Sequence, residues 1–210
     1  MVILFQGDSI TDVGRNTTNG STASLGQGYP LMVTGDLGAK YPNAFSFINR
    51  GISGNRIVDV YARIKCDIWN LSPDVLSVLI GVNDVWHEQN GNGVDAVRFE
   101  RVYDMLVSDT IERFLNIRML LLEPFVLPGK STDEGWELFH TEVPLRAAAV
   151  RRIAVKYGQV FVPLQQMFDE ACTRAPAAHW LPDGVHPSAA GHRLIADAWE
   201  KAFFSEIYKA

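Results

Sequence analysis

Five residues have types that can carry out acyl transfer together: Ser9, Gly51, Asn83, Asp183 and His186. Acyl transfer needs a nucleophile, a base to take its proton and a group to orient that base. Ser9 offers the nucleophile, and His186 the base, because imidazole titrates near neutral pH. Asp183 lies three residues before His186. One helical turn there puts both on one side, so the carboxylate can accept from one ring nitrogen while the other faces Ser9. The tetrahedral oxyanion needs donors already in place. The Ser9 N–H, the Gly51 N–H and the Asn83 side-chain amide are the candidates. Each residue also has an ordinary explanation as a turn glycine, a helix cap or a surface imidazole. Their joint placement must decide.

Placement follows from the elements. Val2–Gln6 is an apolar run the length of one buried strand, and Ser9 follows it within Gly7-Asp8-Ser9-Ile10-Thr11-Asp12. A polar, Gly-rich loop is expected from Gly14 to Gly28, across the mouth of the site. A helix follows over Tyr29–Lys40, with Pro30 in its first turn. Ala44–Asn49 reads as strand two, Gly51–Asn55 as a turn, and a helix runs on to Asn70. Val75–Ile80 is the clearest buried strand and ends in Gly81-Val82-Asn83-Asp84. Val94–Phe114 reads as a helix, Arg118–Leu122 as strand four and Glu123–Asp133 as a long loop. Pro144 is expected to open a helix that ends at Tyr157. Val160–Val162 is strand five, Leu164–Cys172 a short helix, Pro176–Pro187 a loop and Ser188–Ile207 the last helix. Alternation of strand and helix implies an α/β fold, a five-stranded parallel sheet with helices on both faces. In such a sheet the loops after the strands open on one edge, so Ser9, Gly51 and Asn83 should converge. The loop holding Asp183 and His186 can reach the same edge.

Composition bounds the rest. A chain of 210 residues, 47% hydrophobic and 20% charged, suits one soluble α/β domain, residues 1–210. The formal charge of -5 comes without a Lys/Arg block, which argues against nucleic acid and anionic membranes as partners. No apolar run approaches the ~20 residues of a membrane span. A secretory signal would have to precede the first strand, and cleaving one here would remove Ser9. Cys66 and Cys172 form no CxxC pair and read as thiols of a reducing cytoplasm.

Gly7-Asp8-Ser9, Gly51, Asn83 and Asp183-x-x-His186 resemble, in order and over nearly the whole chain, the four blocks of the SGNH or GDSL hydrolases. Longer strings narrow this: Gly7-Asp8-Ser9-Ile10-Thr11-Asp12-x-Gly14-Arg15, Asn49-Arg50-Gly51-Ile52-Ser53-Gly54-Asn55 and Ile80-Gly81-Val82-Asn83-Asp84-Val85-Trp86. They are similar to the cytoplasmic acetyl-xylooligosaccharide esterase branch. The resemblance implies a three-layer, flavodoxin-like α/β/α sandwich. It implies a serine esterase with Ser9, Asp183 and His186 as triad and with Ser9, Gly51 and Asn83 as oxyanion donors. It implies no metal and no cofactor, and it allows a homo-oligomer. The substrate would be a small ester, an acetylated sugar, with lipase, lysophospholipase or thioesterase activity as the alternative within the family. One departure from the branch is Trp180-Leu181-Pro182-Asp183, where the aromatic stands further from the aspartate.

Asp8 is a further candidate for substrate binding, as are Trp86, Trp180 and Tyr29 near the mouth, since an aromatic face suits a sugar. Arg15 and Arg56 either touch substrate hydroxyls or pair with Asp12 and Asp59. His87, His140 and His179 compete with His186 as bases, whereas His192 lies within the last helix and reads as structural. Two other classes stay open. Asp8, Asp12, Asn83, Asp84 and His186 are oxygen and nitrogen ligands of the kind a metal-dependent phosphoesterase uses. A catalytically silent carbohydrate-binding protein is the other. A dinucleotide fold is disfavoured because G-x-G-x-x-G is absent.

Overall fold

The computed structural model describes residues 1–18 and 22–208. Five strands form one parallel sheet: β1 (Val2–Gly7), β2 (Ser46–Asn49), β3 (Val75–Leu79), β4 (Arg118–Leu122) and β5 (Val160–Val162), in the order β2-β1-β3-β4-β5. This is the flavodoxin-like order. Parallel strands cannot be joined by tight turns, so helices cross over both faces. In chain order these are α1 (Ser9–Asp12), α2 (Tyr29–Lys40), α3 (Ile57–Ala62), α4 (Ile64–Asp67), α5 (Val82–Trp86), α6 (Ala96–Arg113), α7 (Trp136–Lys156), α8 (Gln165–Ala171), α9 (Ala177–Trp180) and α10 (Ala189–Glu206).

Side chains alternate across each strand and so feed two cores. Ile3, Phe5, Leu120 and Leu122 face α2 and α10, where Trp199 and Phe203 are fully buried. Leu4, Leu76, Met119 and Leu121 face the opposite layer, packed by Ile57, Phe99, Tyr103 and Val150. The Trp199 indole N–H donates to Ser77 Oγ at 3.0 Å, so the largest buried ring leaves no donor unpaired.

The order also fixes where a site can form. The chain leaves β1 for β2 on one side and returns to β3 on the other, so the crevice lies beyond the C-terminal ends of β1 and β3. Gly7 and Leu79 are register partners there, which brings Ser9 beside the turn that carries Asn83.

Several elements differ from expectation. The helix expected to open at Pro144 begins at Trp136 and carries Pro144 inside it. Phe139, Val143, Ala147 and Val150 are buried at helical spacing, and this apolar face holds the helix through the proline. Pro144 has no N–H to donate to the His140 carbonyl, and His140 is an exposed residue. The single helix expected up to Asn70 is instead α3, α4 and a 3₁₀ turn, Trp69–Leu71. The loop before the last helix contains α9. The expected Gly14–Gly28 loop holds a 3₁₀ turn at Thr22–Leu25, and its residues 19–21 lie outside the described residues. Among the described residues no helix is long and apolar enough to cross a membrane.

Candidate active site

Ser9 is the first residue of α1. Asp8 caps that helix, its Oδ1 accepting the Ile10 N–H at 3.0 Å. The Ser9 N–H therefore points out of the first turn, and it finds no acceptor among the described residues. Asp8 is buried, 1% exposed, rather than open to substrate. Burial pushes its carboxyl up to about 7, against the opposing pull of the Ile10 N–H and of His186.

Ser9 Oγ lies 2.9 Å from His186 Nε2. On the far side of the ring, Nδ1 lies 2.7 Å from Asp183 Oδ2. Asp183 Oδ1 accepts two backbone donors, Val185 N–H at 3.0 Å and His186 N–H at 2.7 Å. Burial raises the Asp183 carboxyl, but these bonds and the ring of His186 outweigh it and hold the group below the usual carboxylate range. The segment is pinned from outside by the loop after β4. Ser131 N–H donates to the Asp183 carbonyl and Leu127 N–H to the Gly184 carbonyl, both at 2.9 Å.

Of the three expected oxyanion donors, one has its N–H occupied within the structure. The Gly51 N–H is already taken by Asn49 Oδ1 at 2.8 Å, and the Gly51 carbonyl by Arg15 Nε at 2.6 Å. A Cβ at Gly51 would sit 2.6 Å from the Asp12 nitrogen, so this glycine is wedged against the α1 turn. Three residues on, Gly54 has φ +81, its Cβ direction is open, and its N–H finds no acceptor among the described residues. Asn83 Nδ2 donates to the carbonyl of the next residue, Asn55, at 3.2 Å, which joins this loop to α5. Ser9, Gly54 and Asn83 are the donors with N–H capacity left.

The model of the GDSL-like lipase/acylhydrolase family matches residues 5–194, which takes in all four loops. The chain belongs to this family. It is a serine esterase, a hydrolase of carboxylic esters. It is 36% identical to an acetylxylan esterase of Geobacillus stearothermophilus, over 98% of this chain and 93% of that protein. A crystal structure from Parabacteroides merdae, described as a GDSL-like lipase, superposes with a TM-score of 0.91 at 36% identity, covering 96% of this chain and 94% of the other. The structure of Axe2, an acetylxylan esterase from Geobacillus stearothermophilus, gives 0.86 at 34%, covering 96% and 93%.

The aromatic candidates of this GDSL-family esterase separate. Trp86 is half-buried, with its ring centroid 5.8 Å from that of His186 and 5.9 Å from Phe139. Tyr29 is fully buried instead; its hydroxyl lies 3.2 Å from Thr11 Oγ1 and its ring meets the edge of Phe5. Trp180 is also core, 7% exposed, with its N–H on the Ala175 carbonyl. Both leave the mouth because their rings fill the layer beneath it. Arg15 holds Gly51, and Arg56 pairs with Asp59 at 2.8 Å. His179 packs on Trp180 and His140 on Trp136, so neither ring is the one that reaches Ser9. His192 is buried with Nδ1 on the Tyr29 N–H; burial, then the nearby His186, pushes it down to about 4.

Two residues escaped the sequence. Gly54 was signalled only by being the second glycine of Gly51-Ile52-Ser53-Gly54-Asn55. Phe139, which backs Trp86, belongs to the turns of α7 that Pro144 concealed. Among the described residues no group of three or more His, Cys, Asp or Glu is placed to hold a metal ion.

Proposed function

We propose that this esterase removes short acyl groups, acetyl foremost, from sugars or xylooligosaccharides through an acyl-enzyme on Ser9. The observation that carries the reading is the continuous line Asp183 Oδ2, His186, Ser9 Oγ, at 2.7 and 2.9 Å. His186 Nε2 takes the Ser9 proton as Oγ attacks the ester carbonyl. Asp183 holds the ring and stabilises the imidazolium that forms. The tetrahedral oxyanion is held by the N–H groups of Ser9 and Gly54 and by the Asn83 amide. Collapse expels the sugar oxygen, which takes the proton back from His186. Water then attacks the acyl-enzyme by the same route and releases the acid. No metal or cofactor enters these steps.

The acetyl and sugar specificity is supported by the relatives. Structures similar to this chain come from an acetyl-xylooligosaccharide esterase, and variants of Axe2 with one serine or one aspartate replaced by alanine are described as catalytic mutants. Trp86 beside His186 offers a flat face to the alcohol side of the ester. The two free thiols fit a cytoplasmic enzyme that works as a single domain. Hydrolysis of acetylated xylobiose, compared with p-nitrophenyl esters of rising chain length, tests the reading. It expects turnover of the sugar acetate and a fall in kcat/KM beyond short acyl chains; preference for long chains contradicts it.

A further inference from the structure

Asp84 follows Asn83 and plays no part in the proton relay. It is fully buried, and among the described residues its carboxylate forms no ion pair. Both of its oxygens face one donor, the Ile57 N–H, at 3.1 and 3.2 Å. Ile57 is the first residue of α3, and its N–H is one of the orphan donors at a helix start. The residue before it, Arg56, supplies no side-chain acceptor for that N–H. The cap therefore comes from a different element, the first turn of α5, 27 residues away. Asp84 is itself anchored, because its carbonyl accepts the Val94 N–H at 2.8 Å.

The loop between Gly51 and Ile57 is tied at both ends and also from the β1 side, where Ile52 N–H donates to the Gly7 carbonyl and the Ser53 N–H and hydroxyl donate to Asp12 Oδ2. Arg15 and Asn49 fix Gly51; Asp84 fixes Ile57, and Asn83 fixes Asn55 between them. Gly54 lies inside this span, and its N–H has no acceptor among the described residues. The geometry points to Asp84 as a positioning residue of the oxyanion site, acting through the Ile57 N–H to hold the Gly54 donor beside Asn83. This rests on the reading of Gly54 and Asn83 as oxyanion donors.

The role needs an acceptor at position 84 and no charge, which separates it from an electrostatic effect on the oxyanion. Asp84→Ala should lower kcat for p-nitrophenyl acetate on the order of 10- to 100-fold, less than the roughly 10²–10³-fold of losing an oxyanion donor outright, because the Gly54 N–H is displaced and not removed. KM should move less than about twofold, since ground-state binding is untouched. The Ki of a boronic acid, which forms a tetrahedral adduct on the serine, should rise in step with the kcat loss. Asp84→Asn keeps an acceptor and should stay within about threefold of wild type. An Asn variant as poor as Ala, or faster than wild type, makes charge the operative property and overturns the inference. So does a folded Asp84→Ala with unchanged kcat and Ki, whatever its Tm. Where the Ala protein does not fold, an ester in place of the Ile57 amide removes the N–H and spares every side chain. It should reproduce the kcat loss, and full activity there also overturns the inference. Ser9→Ala is run alongside: residual full turnover in it means the esterase site is misplaced, whereas a dead Ser9→Ala beside an unaffected Asp84→Ala rejects only the role of Asp84.

Discussion

Asp183 holds His186 twice. One carboxylate oxygen takes the backbone N–H of His186 at 2.7 Å and the other faces its ring Nδ1 at the same distance. The backbone bond fixes where the residue sits, and the ring bond fixes how it turns and which nitrogen is left for Ser9. Orientation and tautomer are set by one group.

Asp183→Asn should therefore cost more than its lost charge. An amide can present its N–H₂ to Nδ1 and select the wrong tautomer. Steady-state kinetics on p-nitrophenyl acetate should show kcat/KM reduced on the order of 10²–10⁴-fold. A loss under tenfold would mean that His186 is oriented by something else.

At the oxyanion site, Asn83→Ala should lower kcat on the order of 10²–10³-fold with a smaller change in KM. Gly51→Ala should act on folding instead. Its Cβ would press on the backbone of Thr11 and Asp12, and overpacking of that kind costs roughly 1–3 kcal/mol. Chemical denaturation and kinetics on the folded fraction separate the two effects. A stable but inactive Gly51→Ala would restore Gly51 as the donor.

The contrast between Gly51 and Gly54 shows how far the sequence reaches. The strands could be read from their apolar runs, because a parallel sheet covered on both faces needs continuous apolar strands. The convergence of Ser9, Asn83 and His186 followed from topology. Which glycine of the second loop keeps its N–H unoccupied did not, because that depends on Asn49 folding back onto Gly51, a contact between neighbours that no periodicity encodes. Tyr29 and Trp180 were misplaced because an aromatic near a loop looks the same whether its ring points into the core or out of it. The start of α7 was hidden because Pro144 is a strong local signal, and only the buried face of Phe139, Val143 and Ala147 outweighs it.

His192 should make the protein acid-sensitive. Its imidazole is pushed down from 6.5 to about 4, so the folded state binds its proton less readily than the unfolded chain. The neutral ring's contribution is complete above pH 6.5 and is lost as pH falls through the interval to about 4. That interval corresponds to about 3 kcal/mol at most. His192→Gln keeps an acceptor for the Tyr29 N–H but cannot titrate. Urea unfolding at pH 4 to 7 should show a flatter profile for this variant; parallel profiles would remove His192 as the source.

Trp86 stands beside His186, half-buried, with the two ring centroids 5.8 Å apart. Trp86→Ala should raise KM for acetylated xylobiose more than for p-nitrophenyl acetate, because a sugar ring loses its apolar platform. Equal changes for both substrates would assign Trp86 to packing against Phe139 alone.

Chelation should leave the reaction untouched, since every proposed step runs through side chains and backbone donors of this chain. Dialysis against EDTA is expected to preserve turnover of p-nitrophenyl acetate, and a loss restored by added divalent metal would reopen the phosphoesterase reading of Asp8, Asp12, Asn83, Asp84 and His186.

The central claim is that Ser9 is the nucleophile. Its direct measurement is mass spectrometry of the protein quenched during turnover of p-nitrophenyl acetate, with Ser9→Ala in parallel. One added acetyl group is expected on the peptide containing Ser9, absent from Ser9→Ala, whose turnover falls to near background. Full turnover by Ser9→Ala, or an acetyl group carried elsewhere, would contradict the claim.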